Sequence, residues 1–466
     1  MNDDHSFNFL LGQEGIDYQS SGFQVSTQGQ NNDRLTNLLT GTRATSWPDS
    51  NSAYSYLSFF FRGEYNYKDL YYAEVAARTD ASSRFGADHR WGMFWSLGFM
   101  WNIKNEAFLK DIEWLTSAQV KLSTGTSGNS EIPYYDHLAL VSGDANYNDE
   151  AGIYPSQSGN EELSWEQTWA NNVGVSFGLY NRVNVNVDFY HKKTTNMLML
   201  VPQSYAITGV GNRWDNIGAM MNRGVEIAID GDVIRTKDFT WNLSANVSYN
   251  KNKLLELYNG VEEYVNSTTG LKYVVGHSVR EYFMNRYAGV NPANGDALWY
   301  TADGELTTEF REEDKVMTGK SFDSPWVGGF GTSLMWKGLS LSAQFSWMAK
   351  RYVMNNDRFF EESNGLYSAY HQSKRLLYDR WKKPGAITDI PRYGVTAQLD
   401  DRFLENSSFL RLKNLTLAYA FPQSLLKKTN FFTSARVYLQ GQNLLTWTGF
   451  TGLDPEVATN VYRAQY

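Results

Sequence analysis

The chain has 466 residues, 15% aromatic side chains, no cysteine and a formal net charge of −8. The lack of cysteine excludes a disulfide framework and thiolate chemistry. No basic patch supports nucleic-acid binding, and no stretch reaches the ~18 apolar residues of a membrane-spanning helix.

Thirteen segments show the alternation of apolar and polar residues that is typical of β-strands. In chain order they are 5–13, 56–67, 71–78, 92–103, 117–124, 165–179, 183–192, 222–232, 239–250, 326–336, 337–347, 404–421 and 433–447. The clearest is 239–250, in which odd positions are apolar or aromatic and even positions are Thr, Ser or Asn. Because successive side chains point to opposite faces, such a strand has one apolar and one polar face.

The alternation changes phase once within a predicted strand. In 404–421 the apolar positions slip between Leu412 and Leu415. An extra residue in one strand of a pair produces such a slip, so we expect a β-bulge at Lys413 or Asn414.

The connections between these segments alternate in length. Short links are expected at 66–70, 103–113, 179–182, 233–238, 337–339 and 422–432, and long ones at 14–53, 79–91, 125–163, 193–221, 251–325, 355–403 and from 448 onward. Short turns on one side and long loops on the other are typical of outer-membrane barrels. The sequence therefore predicts an all-β fold, a partial transmembrane antiparallel β-barrel with long extracellular loops. The segment 251–325 could hide two more strands, near 279–290 and 296–300, which gives 13 to 15.

Several phrases resemble the SusC/RagA family of TonB-dependent outer-membrane transporters of Bacteroidetes. They follow the family's order along nearly the whole chain. They are ARTDASSRFGADHRWGMFWSLGFMWNI (77–103), KLSTGTSGNSEIPYY (121–135), GNEELSWEQT (159–168), NIGAMMNRGVEIAI (216–229), YAGVNPANGDALWY (287–300), FLRLKNLTLAYAFP (409–422) and GQNLLTWTGFTGLDPEV (441–457). The chain departs from the family pattern at Trp95, where Pro is usual, and lacks the Pro of the GN phrase at 159–168.

The resemblance implies uptake of oligosaccharides or oligopeptides, captured with a SusD-like surface lipoprotein and driven by TonB across the outer membrane of a Gram-negative cell. Family members carry a signal peptide, a plug domain and a TonB box before a 22-stranded barrel. We recognise none of these in the sequence, and the residues after Val457 show no alternation. We therefore expect residues 1–466 to be the barrel domain without plug domain, TonB box and final strand, and TonB to act through the N-terminal region that is missing. Neither a cofactor nor an enzymatic activity is expected.

Candidate functional residues fall into two groups. A lumenal charge network that ties down a loop is expected where the strand 71–78 ends, and substrate contact is its alternative; its members are Arg78, Asp80, Ser82, Ser83 and Arg84. Aromatic side chains in the outer loops could stack on sugar rings or peptide side chains, or pack against a partner protein. They are Trp47, Tyr134, Tyr135, Trp214, Trp299, Tyr300, Trp381 and Tyr393.

Three other classes of protein remain open from the sequence. A passive porin would have similar strands but no plug domain. An outer-membrane enzyme would need a catalytic constellation, and we find no G-x-S-x-G motif and no zinc-binding spacing among the six histidines. A soluble glycan-binding β-protein would pack its apolar strand faces on each other.

Overall fold

The computed structural model describes residues 4–46, 49–265, 272–429 and 431–456. Thirteen long strands form one antiparallel sheet, in which every strand lies beside its neighbours in sequence. They are β1 (His5–Phe23), β2 (Asp49–Tyr67), β3 (Tyr71–Ser82), β4 (Trp91–Trp101), β5 (Leu115–Asn129), β6 (Glu166–Leu179), β7 (Val183–Thr195), β8 (Ala219–Arg235), β9 (Phe239–Glu256), β10 (Trp326–Trp336), β11 (Leu339–Ala349), β12 (Phe409–Ala420) and β13 (Arg436–Thr448). Each of the thirteen predicted segments overlaps one of these strands. The segment 404–421 is divided, because Leu404–Asn406 pairs with Tyr352–Met354 and β12 begins only at Phe409.

Some strands are longer than predicted, and the loops between them are shorter. β1 runs to Phe23 and β2 begins at Asp49, so the connection expected at 14–53 is 24–48. The expected long loop at 79–91 is only the short link 83–90. A strand needs about 9–11 residues to cross a membrane. Where β1 continues beyond that length both of its faces are largely polar, so no alternation marks the extension.

The short turns have left-handed backbone at consecutive residues. Between β2 and β3, Lys68 and Asp69 both have φ of 54°, and the Leu70 N–H donates to the Tyr67 carbonyl oxygen at 2.9 Å. Between β10 and β11 the same role falls to Lys337 and Gly338, with φ of 47° and 93°. This is the geometry of type I′ turns, whose twist matches that of the strands they join.

The chain divides into two compact units, residues 1–100, 123–171 and 193–219 in the first and residues 101–122, 172–192 and 220–466 in the second. In the first unit, alternate positions of the strands expose large apolar side chains. Among them are Phe7, Phe9, Leu11, Leu57, Phe59, Phe61, Trp91, Met93, Trp95, Leu97 and Phe99. Soluble proteins rarely expose so extended an apolar surface, whereas a strand facing lipid requires one.

The second unit shows the same two-faced pattern. Leu243 on β9 is opposite Thr332, and Ala245 is opposite Phe330 on β10. Phe330 stacks on Phe345 of β11 with ring centroids 4.6 Å apart. These alternate residues form one apolar face, because cross-strand partners point to the same side of a sheet.

The expected bulge on β12 is confirmed at Lys413. Against β11, Gln344 pairs with Asn414 and Phe345 with Leu412, so Lys413 has no partner residue. The pairing with β13 shifts at the same place. The extra residue keeps apolar side chains on one face both before and after the slip.

Smaller strands and short helices occupy the connections. The pairs are Ser26–Gln28 with Arg43–Ser46, Leu140–Tyr147 with Glu150–Gln157, Leu198–Pro202 with Asn212–Asn216, Glu263–Val265 with Lys272–Val274, Glu281–Met284 with Val316–Ser321, and Tyr352–Met354 with Leu404–Asn406; Arg286–Val290, Ala297–Tyr300 and Leu306–Thr307 form a three-stranded sheet. The α-helices are Tyr205–Thr208, Asn356–Glu361, Arg375–Tyr378 and Gln423–Leu426. No helix in the described part of the chain is long and apolar enough to cross a membrane. Strands occur at both places suspected within 251–325: Glu281–Met284 and Arg286–Val290 at the first, and Ala297–Tyr300 at the second. They belong to the small loop sheets, and the large sheet of the described residues has thirteen strands.

Each unit has a hydrophobic cluster in its loops. In the first unit it consists of Phe85, Phe94, Ile132, Leu163 and Trp165. In the second it consists of Tyr282, Met284, Met354, Phe359, Ala397, Phe403 and Leu404. The long connections are therefore packed structures in their own right.

Candidate functional site

Arg78 is the centre of a polar network in the first unit. Its Nε donates to Asp80 Oδ1 at 2.6 Å, and its Nη2 donates to Ser58 Oγ at 2.9 Å and to Glu14 Oε2 at 2.8 Å. The four residues come from β1, β2 and β3. The fork of guanidinium donors thus joins three adjacent strands on their polar face.

Arg84 forms a second network just beyond the end of β3. Its guanidinium carbon lies 4.8 Å from the ring centroids of both Tyr54 and Tyr134. Its Nη1 donates to the carbonyl oxygens of Ser130 and Ile132 at 3.1 and 3.2 Å. Cation–π contacts and hydrogen bonds together fix the start of the loop 130–139.

Ser82 and Ser83 stabilise the same corner through their hydroxyl groups. Ser82 Oγ accepts from the Arg84 N–H at 3.3 Å, and Ser83 Oγ accepts from the Ser55 N–H at 2.9 Å. The five residues expected in one charge network therefore lie in two adjoining ones. Their contact with a substrate remains a prediction.

Three of the sequence phrases converge around Phe85, which is fully buried. Trp165 packs against it, and the Trp165 Nε1 donates to the Arg90 carbonyl oxygen at 2.8 Å. Gly86 lies so close to the carbonyl oxygen of Glu161 that a Cβ atom would collide with it. The phrases 77–103, 121–135 and 159–168 thus build one packing cluster.

The aromatic candidates of the first unit differ in how many contacts they make within the protein. Tyr135 is exposed, and its hydroxyl accepts from the Ala53 N–H at 2.8 Å. Tyr134 is half-buried against Arg84, and Trp214 packs on the Phe85 cluster. Trp47 lies outside the described residues.

In the second unit, two tryptophan candidates are built into the loops. Trp299 is only 5% exposed, and its Nε1 donates to Asp400 Oδ2 at 2.8 Å. Trp381 lies against Gly295 and donates from its Nε1 to the Pro292 carbonyl oxygen at 3.1 Å. Both indoles already use their donor within the loop.

The tyrosine candidates of this unit are accessible. Tyr300 is exposed and has the Arg286 guanidinium 5.5 Å from its ring centroid. Tyr393 is 71% exposed, with the Arg380 guanidinium at 5.2 Å. Their rings remain open to further contacts.

A cavity of about 950 Å³ lies in the second unit, and none of the candidate functional residues that the structure describes is in its wall. Its wall includes the helix Asn356–Glu361, residues 370–375 and residues 451–453. Because the wall segments are far apart in sequence, no local motif marks the cavity. The four-residue spacing of Arg358 and Glu362 was the available signal.

Ion pairs of the lining residues Arg358, Glu362 and Arg375 form one side of this cavity, and Glu362 is the most deeply buried of the three. Arg358 contacts Glu362 and Glu405, each at 3.1 Å. Arg375 contacts Glu362 at 2.7 Å and Asp389 at 2.6 Å. Arg375 also contacts Asp379 at 3.3 Å, so two arginines and four carboxylates hold the loop 355–405 together.

These contacts alter the acidities of the carboxyl groups. Burial acts to raise the pKa of Asp389, but the Arg375 guanidinium outweighs it and holds that pKa below its usual value. Burial also acts to raise the pKa of Glu405. Hydrogen bonds from the N–H and hydroxyl of Thr451 and from Arg358 outweigh burial, and the pKa of Glu405 is lowered. Asp400 is buried, and burial outweighs the opposing effects of Arg402 and of the Trp299 hydrogen bond and raises the pKa of Asp400 to about 6.

A basic clamp holds residues 454–456 beside the cavity. Arg411 on β12 contacts Asp454 at 2.6 Å and Glu456 at 2.8 Å, and Lys413 in the bulge contacts Glu456 at 2.7 Å. Arg351 donates to the Pro455 carbonyl oxygen at 2.7 Å. The bulge therefore directs a cation toward this segment.

The side chains around the cavity are suited to binding a ligand. The cavity combines carboxylates, guanidinium groups, amides and aromatic rings, which suits a polar ligand. Among the described residues, no three His, Asp or Glu side chains are placed to hold a metal ion.

A sheet of sequential antiparallel strands with an exposed apolar face and a polar face is the wall of an outer-membrane β-barrel. The chain belongs to the SusC/RagA family of TonB-dependent receptors, and a family model described as "TonB dependent receptor-like, beta-barrel" matches residues 1–444. Proteins of this family lie in the outer membrane, and the family is one of receptors and transporters.

Individual relatives agree with this assignment. TonB-dependent receptor P3 of Formosa agariphila is 30% identical over 427 residues, which are 86% of this chain and 42% of the relative. TonB-dependent receptor SusC of Bacteroides thetaiotaomicron is 28% identical over 486 residues, covering 98% of this chain and 46% of that protein. The structure of the RagAB peptide transporter aligns with a TM-score of 0.87 and 36% identity, covering 98% of this chain and 51% of that one. The chain thus spans about half the length of the relatives that it matches.

Proposed function

We propose that residues 1–466 supply the barrel wall and the extracellular loops of an importer for oligosaccharides or oligopeptides. The observation that carries the proposal is the thirteen-stranded, two-faced sheet whose long connections are folded and carry accessible polar and aromatic groups. Its likeness to a protein described as a peptide transporter supports import, and its likeness to the TonB-dependent receptor SusC supports dependence on TonB.

In this proposal the substrate is captured outside the cell together with a SusD-like surface lipoprotein. Transport is driven by TonB through a plug domain and a TonB box, which we assign to sequence of the same protein beyond these 466 residues. The chain contacts outer-membrane lipid with its apolar face. It catalyses no reaction and uses no cofactor.

The exposed loop aromatics are the proposed substrate contacts. Tyr135, Tyr300 and Tyr393 each present a ring to solvent at a loop surface, and a planar ring can stack on a sugar or on a peptide side chain. Arg78 and Arg84 are assigned the role of fixing strands and loop.

Uptake by whole cells tests the proposal. The full-length protein is expressed with its neighbouring lipoprotein in a strain that lacks its own importers, and labelled oligosaccharides and oligopeptides are offered with and without TonB. Uptake that requires TonB is expected. Uptake that continues unchanged without TonB would identify a passive porin instead.

A further inference from the structure

We infer that the cavity of the second unit binds a basic side chain of an oligopeptide substrate. The inference rests on the proposed function and chooses between the two substrate classes that it leaves open. It is carried by the balance of charge around the cavity and by the aromatic rings in its wall.

The arginines of the cavity are already neutralised. Arg358 is paired with Glu362 and Glu405, and Arg375 is paired with Glu362 and Asp389. Asp379 also contacts Arg375, at 3.3 Å, so four carboxylates face two guanidinium groups. The positive charges of Arg358 and Arg375 are therefore balanced by carboxylates of the protein, and they attract an acidic ligand only weakly.

Two further carboxylates in the wall are unpaired. Asp357 and Glu361 line the cavity and are exposed, and neither side chain has an ion pair or hydrogen bond within the described part of the chain. They are four residues apart on the helix Asn356–Glu361, so they lie on the same side of it. The other lining residue that can carry a positive charge is His371, so with both arginines paired the carboxylates outnumber the cations around the cavity.

Aromatic rings lie next to these carboxylates. Phe360 and Tyr370 both line the cavity, with ring centroids 5.5 Å apart, and Tyr370 is exposed. A lysine or arginine side chain is attracted both to carboxylates and to the face of an aromatic ring. The long aliphatic part of either side chain can cover the ring while its charged end meets a carboxylate.

The same charges favour a cationic peptide over the other substrate class. A neutral oligosaccharide gains no Coulomb energy from unpaired carboxylates, and an acidic one is repelled by them. The volume of about 950 Å³ is at the upper end of ligand pockets and accommodates several side chains. A peptide with basic residues satisfies both the charge and the size.

Binding to the purified full-length protein in detergent tests the inference. The probes are a dye-labelled nonapeptide with three lysines, the same peptide with glutamine or glutamate at those positions, and a neutral malto-oligosaccharide. The variant is Asp357→Asn/Glu361→Gln. Its matched control is Asp303→Asn/Glu305→Gln, which removes two exposed, unpaired carboxylates of the same unit away from the cavity.

The lysine peptide is expected to bind most tightly and the glutamate peptide least. The cavity variant should lower affinity for the lysine peptide about three- to tenfold, as expected for two exposed charge contacts, and leave the glutamine peptide unaffected. The control variant should bind like the parent protein. The preference should shrink in 0.5 M salt (roughly a 4 Å Debye length), because exposed charges are screened.

Equal affinity for the lysine and glutamate peptides, or an unchanged lysine-peptide affinity in the cavity variant, would overturn the inference. Preferential binding of the oligosaccharide would do so too, as would absence of binding because another part of the protein fills the cavity. The whole-cell uptake assay distinguishes failure of this inference from failure of the proposed function. A lysine peptide that binds as expected but enters cells without TonB contradicts the import proposal and leaves the inference intact.

Discussion

The indole Nε1 of Trp299 donates a 2.8 Å hydrogen bond to Oδ2 of Asp400, although 101 residues separate the two. Both side chains are buried. The bond joins the small sheet that contains Ala297–Tyr300 to the segment before β12. Two long connections of the second unit are therefore one folded body.

Trp299→Phe should loosen that body. The substitution leaves a buried carboxylate oxygen without its donor, which costs about 1–3 kcal/mol. Hydrogen exchange of residues 297–300 and 400–403 in the full-length protein should accelerate accordingly. Tyr300→Phe changes the exposed neighbour and should leave the exchange unaltered; equal acceleration in both variants would contradict the assignment.

The stability of this region should depend on pH. Burial raises the pKa of Asp400 to about 6, so the folded state binds a proton more tightly than the unfolded state does. Stability from this group is then fully present below the unfolded pKa of about 3.9 and is lost as pH rises from there through 6, by about 1 kcal/mol between pH 5 and pH 7. Exchange corrected for its intrinsic pH dependence measures this, and Asp400→Asn should remove the difference. Tighter protection at pH 7 than at pH 5 would reverse the sign and refute the argument.

The two faces of β9 can be tested with one substitution on each. Leu243 lies on the apolar face and is 41% exposed, whereas Ser244 points to the opposite face. Arginine on the lipid side near the midplane costs about 2–4 kcal/mol, and much less on the lumenal side. Leu243→Arg should reduce the heat-modifiable, folded form of the full-length protein on gels and Ser244→Arg should not. Equal tolerance would remove the basis for the facing of this strand.

Arg411→Met should release the segment 454–456. Arg411 is buried and contacts both Asp454 and Glu456, and the apolar replacement keeps its volume but not its charge. A spin label on Leu453→Cys, the sole cysteine that these 466 residues would then contain, should become more mobile. Arg436→Met on exposed β13 is the control and should leave the label unchanged. If the label moves no more than in the control, the ion pairs do not hold the segment.

Trypsin treatment of intact cells tests on which side of the membrane each connection lies. Lys382 and Lys383 lie in an exposed part of a long connection, and Lys427 and Lys428 lie in the short link between β12 and β13. If long connections are extracellular, cleavage should occur at the first pair and not at the second. The reverse pattern would invert the topology and remove the loop assignments.

The strands could be predicted from sequence because the membrane dictates a local pattern. Lipid on one side and water on the other require every second residue to be apolar. The sequence pattern therefore predicts both the strand β9 and the extra residue Lys413. Where β1 extends beyond the membrane this constraint ends, and the predicted boundary was too early.

The loop structure could not be predicted in this way. Trp299 looked like a free aromatic platform, and its burial depends on Asp400, far along the chain. Arg375 and Asp389 give no periodic signal, yet their 2.6 Å contact helps to form the cavity. Contacts of this kind depend on how separate connections pack, which no local spacing records. Residues 78–84 stand out in the sequence because they are nearly consecutive, but their division between the networks of Arg78 and Arg84 depends on partners far along the chain.

The bulge at Lys413 bears on which changes in chain length this sheet can absorb. Loss of the single codon for Lys413 would leave Asn414 and Leu412 opposite Gln344 and Phe345, as they are now, in an uninterrupted ladder with β11. Loss of one codon within β11, at Ser342 for example, would exchange the lipid-facing and lumen-facing side chains in half of that strand, since strand side chains alternate with a period of two. Barrel assembly should therefore survive the first deletion and fail with the second. Bulges of this kind are places where the length of a membrane strand can drift during evolution without exchanging its lipid and water faces.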